Sequence, residues 1–232
     1  MNIFVAASAV LLGPAEAVSA QTLAIIPAAT RRRLSGYAKM IMAVIFEVLD
    51  QYPSSRGVPV VLASRHGDLH RTIDLLKQLV ANEPLSPTQF CLSVNNAVLG
   101  QLSVITNNQQ GMTTISAGED SFAAAWLEGY LQLQDNPAVL VVYADEHPPE
   151  PYSLQCDSPA QGIAFAALLT LENNINFRSV TLQRKSKHGA AAHSERSNTI
   201  LVARALHEAL QGSSTHVRMK TELNDWSWHV QS

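Results

Sequence analysis

The stretch best suited to carry chemistry runs from Gln110 to Glu146, and its centre is Ser116-Ala117-Gly118-Glu119. Met112, Thr113, Thr114 and Ile115 form a short β-favouring run before it. Ser116 and Glu119 have the spacing of a capping box, with Ser116 as N-cap and Glu119 at the third helical position. A strand running into the N-terminus of a buried helix is a mount for a nucleophile. The free N–H groups and the positive end of the helix dipole lower a thiol pKa and can hold an oxyanion. Here the turn residue is Gly118, which has no side chain. The spacing thus predicts a mount without its reactive group. Ser116 and Ser121 are the hydroxyls that acyl transfer could use instead.

A second stretch, Ser64-Arg65-His66-Gly67-Asp68-Leu69-His70-Arg71, supports two chemistries. A strand followed by Arg65-His66-Gly67 resembles the way histidine phosphatases present a phospho-accepting His and a phosphate-binding Arg. That chemistry also needs a second His, a carboxylic acid and more Arg. His147 follows Asp145-Glu146, but Pro148-Pro149 stand where that resemblance implies glycine, and the motif lies behind an earlier strand and helix. Separately, His66 and His70 around Asp68 have metal-ligand spacing for a helix. No third His or Cys cluster supports them, so no metal is expected. The plain reading is a strand–loop–helix junction with Asp68 near a helix N-terminus.

These residues need elements to position them. Ile3 to Leu12 reads as a buried strand ending at Gly13-Pro14. Leu34 to Leu49 has helical periodicity behind the basic triplet Arg31-Arg32-Arg33. Val58 to Ala63 reads as a strand and Thr72 to Val80 as a helix. Leu92 to Ile105 is mostly helix-like. After Gly118, Phe122, Trp126 and Tyr130 form one apolar row and Ala123, Leu127 and Leu131 the next, the pattern of a core helix. Ala138 to Tyr143, Gly162 to Leu171 and Ser179 to Leu182 read as strands, and 184–197 as a mobile loop. Thr199 to Gln211 is a helix between Asn198 and Gly212. Leu223 to Val230 alternates as a half-buried strand.

With 232 residues, one domain over 1–232 is expected. A net charge of −3 without a basic stripe argues against nucleic acid. Charged residues make up 15% of the chain, against about 25% in ordinary soluble domains, which suggests surface hidden against another subunit. Cys91 and Cys156 fit no metal or redox spacing and read as reduced, buried thiols of a cytoplasmic protein. Val18-Ser19-Ala20 is like a signal-peptide cleavage site, but no basic residue precedes the apolar run and Pro14 and Glu16 interrupt it. No run is long enough to span a membrane.

The order of pieces from Val58 to Glu146 resembles the N-terminal half of a β-ketoacyl synthase. In that family a strand leads to a Gly-containing turn and helix, then a Ser-Pro opens a helix rich in Asn and Ala. The counterparts are Ser86-Pro87 and Asn95-Asn96-Ala97. A Gly turn and a short strand, here 111–115, lead to Ser-Ala-Cys at the nucleophile turn, here Ser116-Ala117-Gly118. Gly118 replaces the acylated Cys, and the chain has no second half to supply the two catalytic His. The likeness is to a half-length ketosynthase chain length factor of type II polyketide or aryl polyene synthesis. It implies an α/β, thiolase-like fold with a mixed sheet and a buried central helix. It implies no catalytic residue and no cofactor. The partner implied is a full-length ketosynthase in a heterodimer, with acyl carrier protein reached through that complex. By the same resemblance Met112, Thr113, Thr114, Ile115, Asn95 and Asn96 would meet the partner. His66, Leu69, Ile73 and Phe122 would border the far end of its acyl tunnel. The rival functions are a phosphatase using His66, an acyltransferase using Ser116 or Ser121, and a plain carrier-protein docking module.

Overall fold

The computed structural model describes residues 1–154, 161–187, 196–212 and 215–231. Its frame is an eight-stranded mixed sheet in the order β3-β2-β4-β5-β1-β6-β8-β7. The strands are β1 (Asn2–Leu12), β2 (Val60–Ala63), β3 (Met112–Ile115), β4 (Ala138–Asp145), β5 (Ile163–Thr170), β6 (Arg178–Ser186), β7 (His216–Lys220) and β8 (Asn224–Gln231). β2 is parallel to both β3 and β4, and the remaining pairs are antiparallel. β4 and β5 are buried almost throughout, because helices cover both faces there, and their sequences are accordingly continuous apolar runs.

The helices are α1 (Ala28–Arg31), α2 (Gly36–Gln51), α3 (Leu69–Val80), α4 (Pro87–Cys91), α5 (Ala97–Thr106), α6 (Ser121–Gln132) and α7 (Thr199–Leu210). One core joins α2 and α5 to the sheet through residues such as Ile41, Ile45, Leu99 and Val142. The other joins α6 and α7 to the opposite face through Phe122, Trp126, Leu206 and Trp228. Phe122 sits in an aromatic cluster with Tyr143, Phe165 and Trp228, ring centroids 5.4, 5.4 and 5.6 Å away. α6 lies so close to the sheet that a Cβ at Gly129 would collide with Val141 and Leu169.

Several expectations are corrected. The capping box does not form: α6 begins at Ser121, after a 3₁₀ turn over Gly118–Asp120. The Ser121 hydroxyl accepts from the Ala117 N–H and donates to the Gly118 carbonyl, tying down the turn, while α6 starts without a side-chain cap. The segment expected to be a loop from 184 instead continues β6 to Ser186, where cross-strand pairing with β8 outweighs its polar composition; residues 188–195 lie outside the described residues. Cys91 is exposed, at the end of a short helix, and Cys156 lies outside the described residues. The helical pattern from Leu92 is helix only from Ala97, and β7 carried too short a pattern to be read.

Candidate functional site

The parallel strands β2 and β3 end side by side, and the two turns that follow are stitched together. The Ser116 hydroxyl donates to the Ser64 carbonyl at 2.8 Å. The Asn95 amide donates to the Ser116 hydroxyl at 3.4 Å. Gly67 has φ +64°, and a Cβ there would collide with the Asn95 side chain. Glycine at 67 therefore serves both the left-handed turn and the close approach of Asn95.

At the end of β4, the buried Asp145 carboxylate organises the β2 turn. It accepts from the Ser64 hydroxyl at 2.7 Å, the Arg65 N–H at 3.0 Å, the His66 N–H at 3.0 Å and the Tyr143 phenol at 2.6 Å. Burial, then the neighbouring Asp145 charge, pushes the Tyr143 pKa well above the phenol range, so it stays a donor. Burial lowers the His66 pKa, against the opposing pull of Asp145. Arg65, His66, Glu119, Tyr143, Asp145 and Thr199 all border a cavity of about 300 Å³ at this end of the sheet. Charged side chains of Arg65, Glu119 and Asp145 share its lining with the apolar Ile163 and Ile200.

Gly118 stands beside this site with φ +58°, and a Cβ built on it meets nothing within 4 Å. The turn thus has the sharp strand-to-helix form of a nucleophile mount, with open space where a side chain would project. The two carboxylates that follow it grip the C-terminal hairpin. Asp120 accepts from Thr221 Oγ1 (2.8 Å), Asn224 Nδ2 (2.7 Å) and Trp226 Nε1 (2.7 Å). Glu119 pairs with Arg196 at 2.6 Å and accepts from the Glu222 N–H at 3.1 Å. Nothing in the sequence signalled these partners, which are 77 to 106 residues away.

The phosphatase and metal motifs do not assemble. α3 begins at Leu69, so His66 lies before the helix and the His66–His70 pair lacks helical spacing. His70 Nε2 donates to the His147 carbonyl at 2.8 Å. Arg71 is held by Asp68 at 3.1 Å and donates to the Arg33 carbonyl, and it does not border the cavity. Among the described residues, no group of three or more His, Cys, Asp or Glu is placed to hold a metal.

Of the other residues singled out, Leu69 is half-buried and Ile73 buried, both early in α3. Phe122 is wholly enclosed in the aromatic cluster. Asn96 is exposed just before α5. β3 is an edge strand, paired only with β2. Its Gly111 and Ile115 carbonyls accept from the Val60 and Ser64 N–H groups of the β2 side. In a parallel ladder, bonding alternates along the strand. The N–H and C=O groups of Met112 and Thr114 therefore point to the open edge.

An α/β sheet of this order, with a buried helix leading from a nucleophile-type turn, is the thiolase-like architecture of ketosynthases. The model for the β-ketoacyl synthase N-terminal domain matches residues 7–229, and the chain belongs to that family. Among solved structures, a chain of the complex of the ketosynthase ApeO with its chain length factor ApeC, from Xenorhabdus doucetiae, superposes with a TM-score of 0.79 at 22% identity. That match covers 99% of each chain. The ishigamide ketosynthase/chain length factor gives a TM-score of 0.59 at 15% identity, over 71% of this chain and 52% of that one. A chain of AntDE:AntF, a type II polyketide acyl-carrier protein in complex with its ketosynthase, gives 0.61 at 13%, over 80% and 69%. At these identities the likeness is one of fold. No curated protein matches the chain in sequence. Among the described residues no helix is long and apolar enough to cross a membrane.

Proposed function

We propose that the chain is a non-catalytic chain length factor that pairs through β3 with an active β-ketoacyl synthase and shapes its acyl pocket. The carrying observation is the contrast between the two edges of the sheet. β7 bears Arg218 and Lys220, charges that discourage edge pairing. β3 bears Met112, Thr113, Thr114 and Ile115, with no charge and with outward N–H and C=O groups at Met112 and Thr114. Such an edge is a template for a strand of another chain. Gly118, without a side chain at the turn before α6, supports a role without condensation in this subunit. Leu69 and Ile73, at the start of α3, remain the gate residues of this reading. Shortening either is expected to lengthen the product by roughly one to two methylene units, at about 0.8 kcal/mol each.

The test is reconstitution with the ketosynthase from the same genome and its acyl carrier protein. A one-to-one complex by light scattering, condensation only when the ketosynthase is present, and altered product mass with Leu69→Ala or Ile73→Ala are the expected results. Condensation by the isolated chain would overturn the non-catalytic assignment, and a ketosynthase that never binds would overturn the pairing.

A further inference from the structure

Where the first turns of α2 and α3 meet α5, a second and much smaller cavity of about 10 Å³ is bordered by Ser35, Tyr37, Asp68, Arg71, Val98 and Gln101. Two buried groups on its wall, the Tyr37 hydroxyl and Arg71 Nη1, have no hydrogen-bond partner in the protein. Tyr37 is 2% exposed and the Arg71 side chain 9%. The other nitrogens of Arg71 are taken: Nε pairs with Asp68 at 3.1 Å, and Nη2 donates to the Arg33 carbonyl at 3.1 Å. The Tyr37 hydroxyl lies in the field of Ser64, Asp68 and Asp145 without hydrogen-bonding geometry to any of them. Buried donors are rarely left unpaired, because each gives up its hydration on folding and gains nothing in return.

We infer that this cavity is a binding site for one ordered water, which accepts from the Tyr37 hydroxyl and from Arg71 Nη1 and so joins α3 to α2. The inference does not rest on the function proposed above. The volume suits one water and nothing larger. The lining also selects water over a halide ion, which could satisfy the same two donors. Asp68 already balances the Arg71 charge, and its carboxylate on the cavity wall would repel an anion. The same carboxylate, with the Ser35 hydroxyl and the Gln101 amide, offers acceptors for the two protons of a water, which a halide lacks. Arg71 stands between Leu69 and Ile73 on α3, so the water fixes the turn that carries both.

High-resolution crystal structures of the wild-type chain, with and without exchange into bromide, test this together with water-oxygen magnetic relaxation dispersion in solution. The wild type should show one density peak within hydrogen-bonding distance of Tyr37 Oη and Arg71 Nη1, with no anomalous signal in bromide. In Tyr37→Phe, which removes one of the two donors, the residence time of that water should shorten at least about tenfold. A dry wild-type cavity, with Tyr37 and Arg71 bonded directly to protein acceptors, would overturn the inference. So would a bromide peak, which would make the cavity a halide site. An unchanged residence time in Tyr37→Phe would show that the phenol does not hold the water and would overturn it as well. The wild-type structures decide the matter even if Tyr37→Phe does not fold.

Discussion

Gly118 combines a left-handed backbone with open space at its Cβ, so a cysteine fits there sterically and meets only backbone strain. Gly118→Cys is expected to fold with a loss of about 1–2 kcal/mol, measured by denaturant titration, and to remain inactive in condensation. On the proposed non-catalytic reading the thiolate has no histidine partners and can at most be acylated. Tyr143 contributes to the alkaline pH response. The Tyr143 pKa is raised in the folded state, so its contribution is present below the ordinary phenol value near 10 and is lost as pH rises beyond it. On the acid side, burial lowers His66 and His207, whose contribution is lost as pH falls below about 6.5. Urea midpoints across pH should therefore fall at both ends. Tyr143→Phe should make the alkaline limb shallower, with the buried Tyr37 phenol, also raised by burial, supplying what remains, and should lower neutral stability by about 1.5–3 kcal/mol through the lost bond to the carboxylate. An unchanged alkaline slope would contradict the assignment.

At the scale of elements, Asp120 makes most of the side-chain hydrogen bonds that join the turn before α6 to the β7–β8 hairpin, beside Glu119. Asp120→Ala leaves the Asn224 Nδ2 and Trp226 Nε1 donors without this acceptor, while the Thr221 hydroxyl keeps the Asn224 carbonyl. The expected cost is about 3 kcal/mol or more, with faster amide exchange confined first to β7 and β8. Uniform exchange throughout would show that the hairpin does not open by itself. β3 makes the opposite prediction. Thr114 points its N–H away from β2, so Thr114→Pro leaves the internal ladder intact and removes an edge donor. The variant should fold with a Tm within a few degrees of wild type and fail to co-purify with the ketosynthase. Retained co-purification would move the interface elsewhere.

The whole molecule is a sheet with an apolar core on each face, extended by β6, β8 and β7 until Trp228 reaches the aromatic cluster around α6. The C-terminal strands thereby cover the side of α6 that the sheet centre leaves open. Trp228 is fully buried, and Trp228→Ala should cost about 3–5 kcal/mol. If the chain unfolds as one unit, fluorescence and circular dichroism should lose the same transition together. Two separated transitions would show that the C-terminal strands form an independent layer.

Periodicity and local chemistry are short-range properties, and the sequence by itself determined what depends on them. The strand–glycine–helix order around Gly118, the alternation that buries Trp226, Trp228 and Val230, and the Asn198 cap of α7 were legible because each arises from neighbouring residues. Only the tertiary structure decided the rest. Ser116 was free to cap α6 until β2 offered it the Ser64 carbonyl. Arg65-His66-Gly67 had the spacing of a phosphate site until Asp145, eighty residues on, took its backbone N–H groups and Asp68 took Arg71. A polar side chain satisfies whichever donor or acceptor folding brings nearest, and that choice is made by the sheet order rather than by the residues on either side of it in the chain.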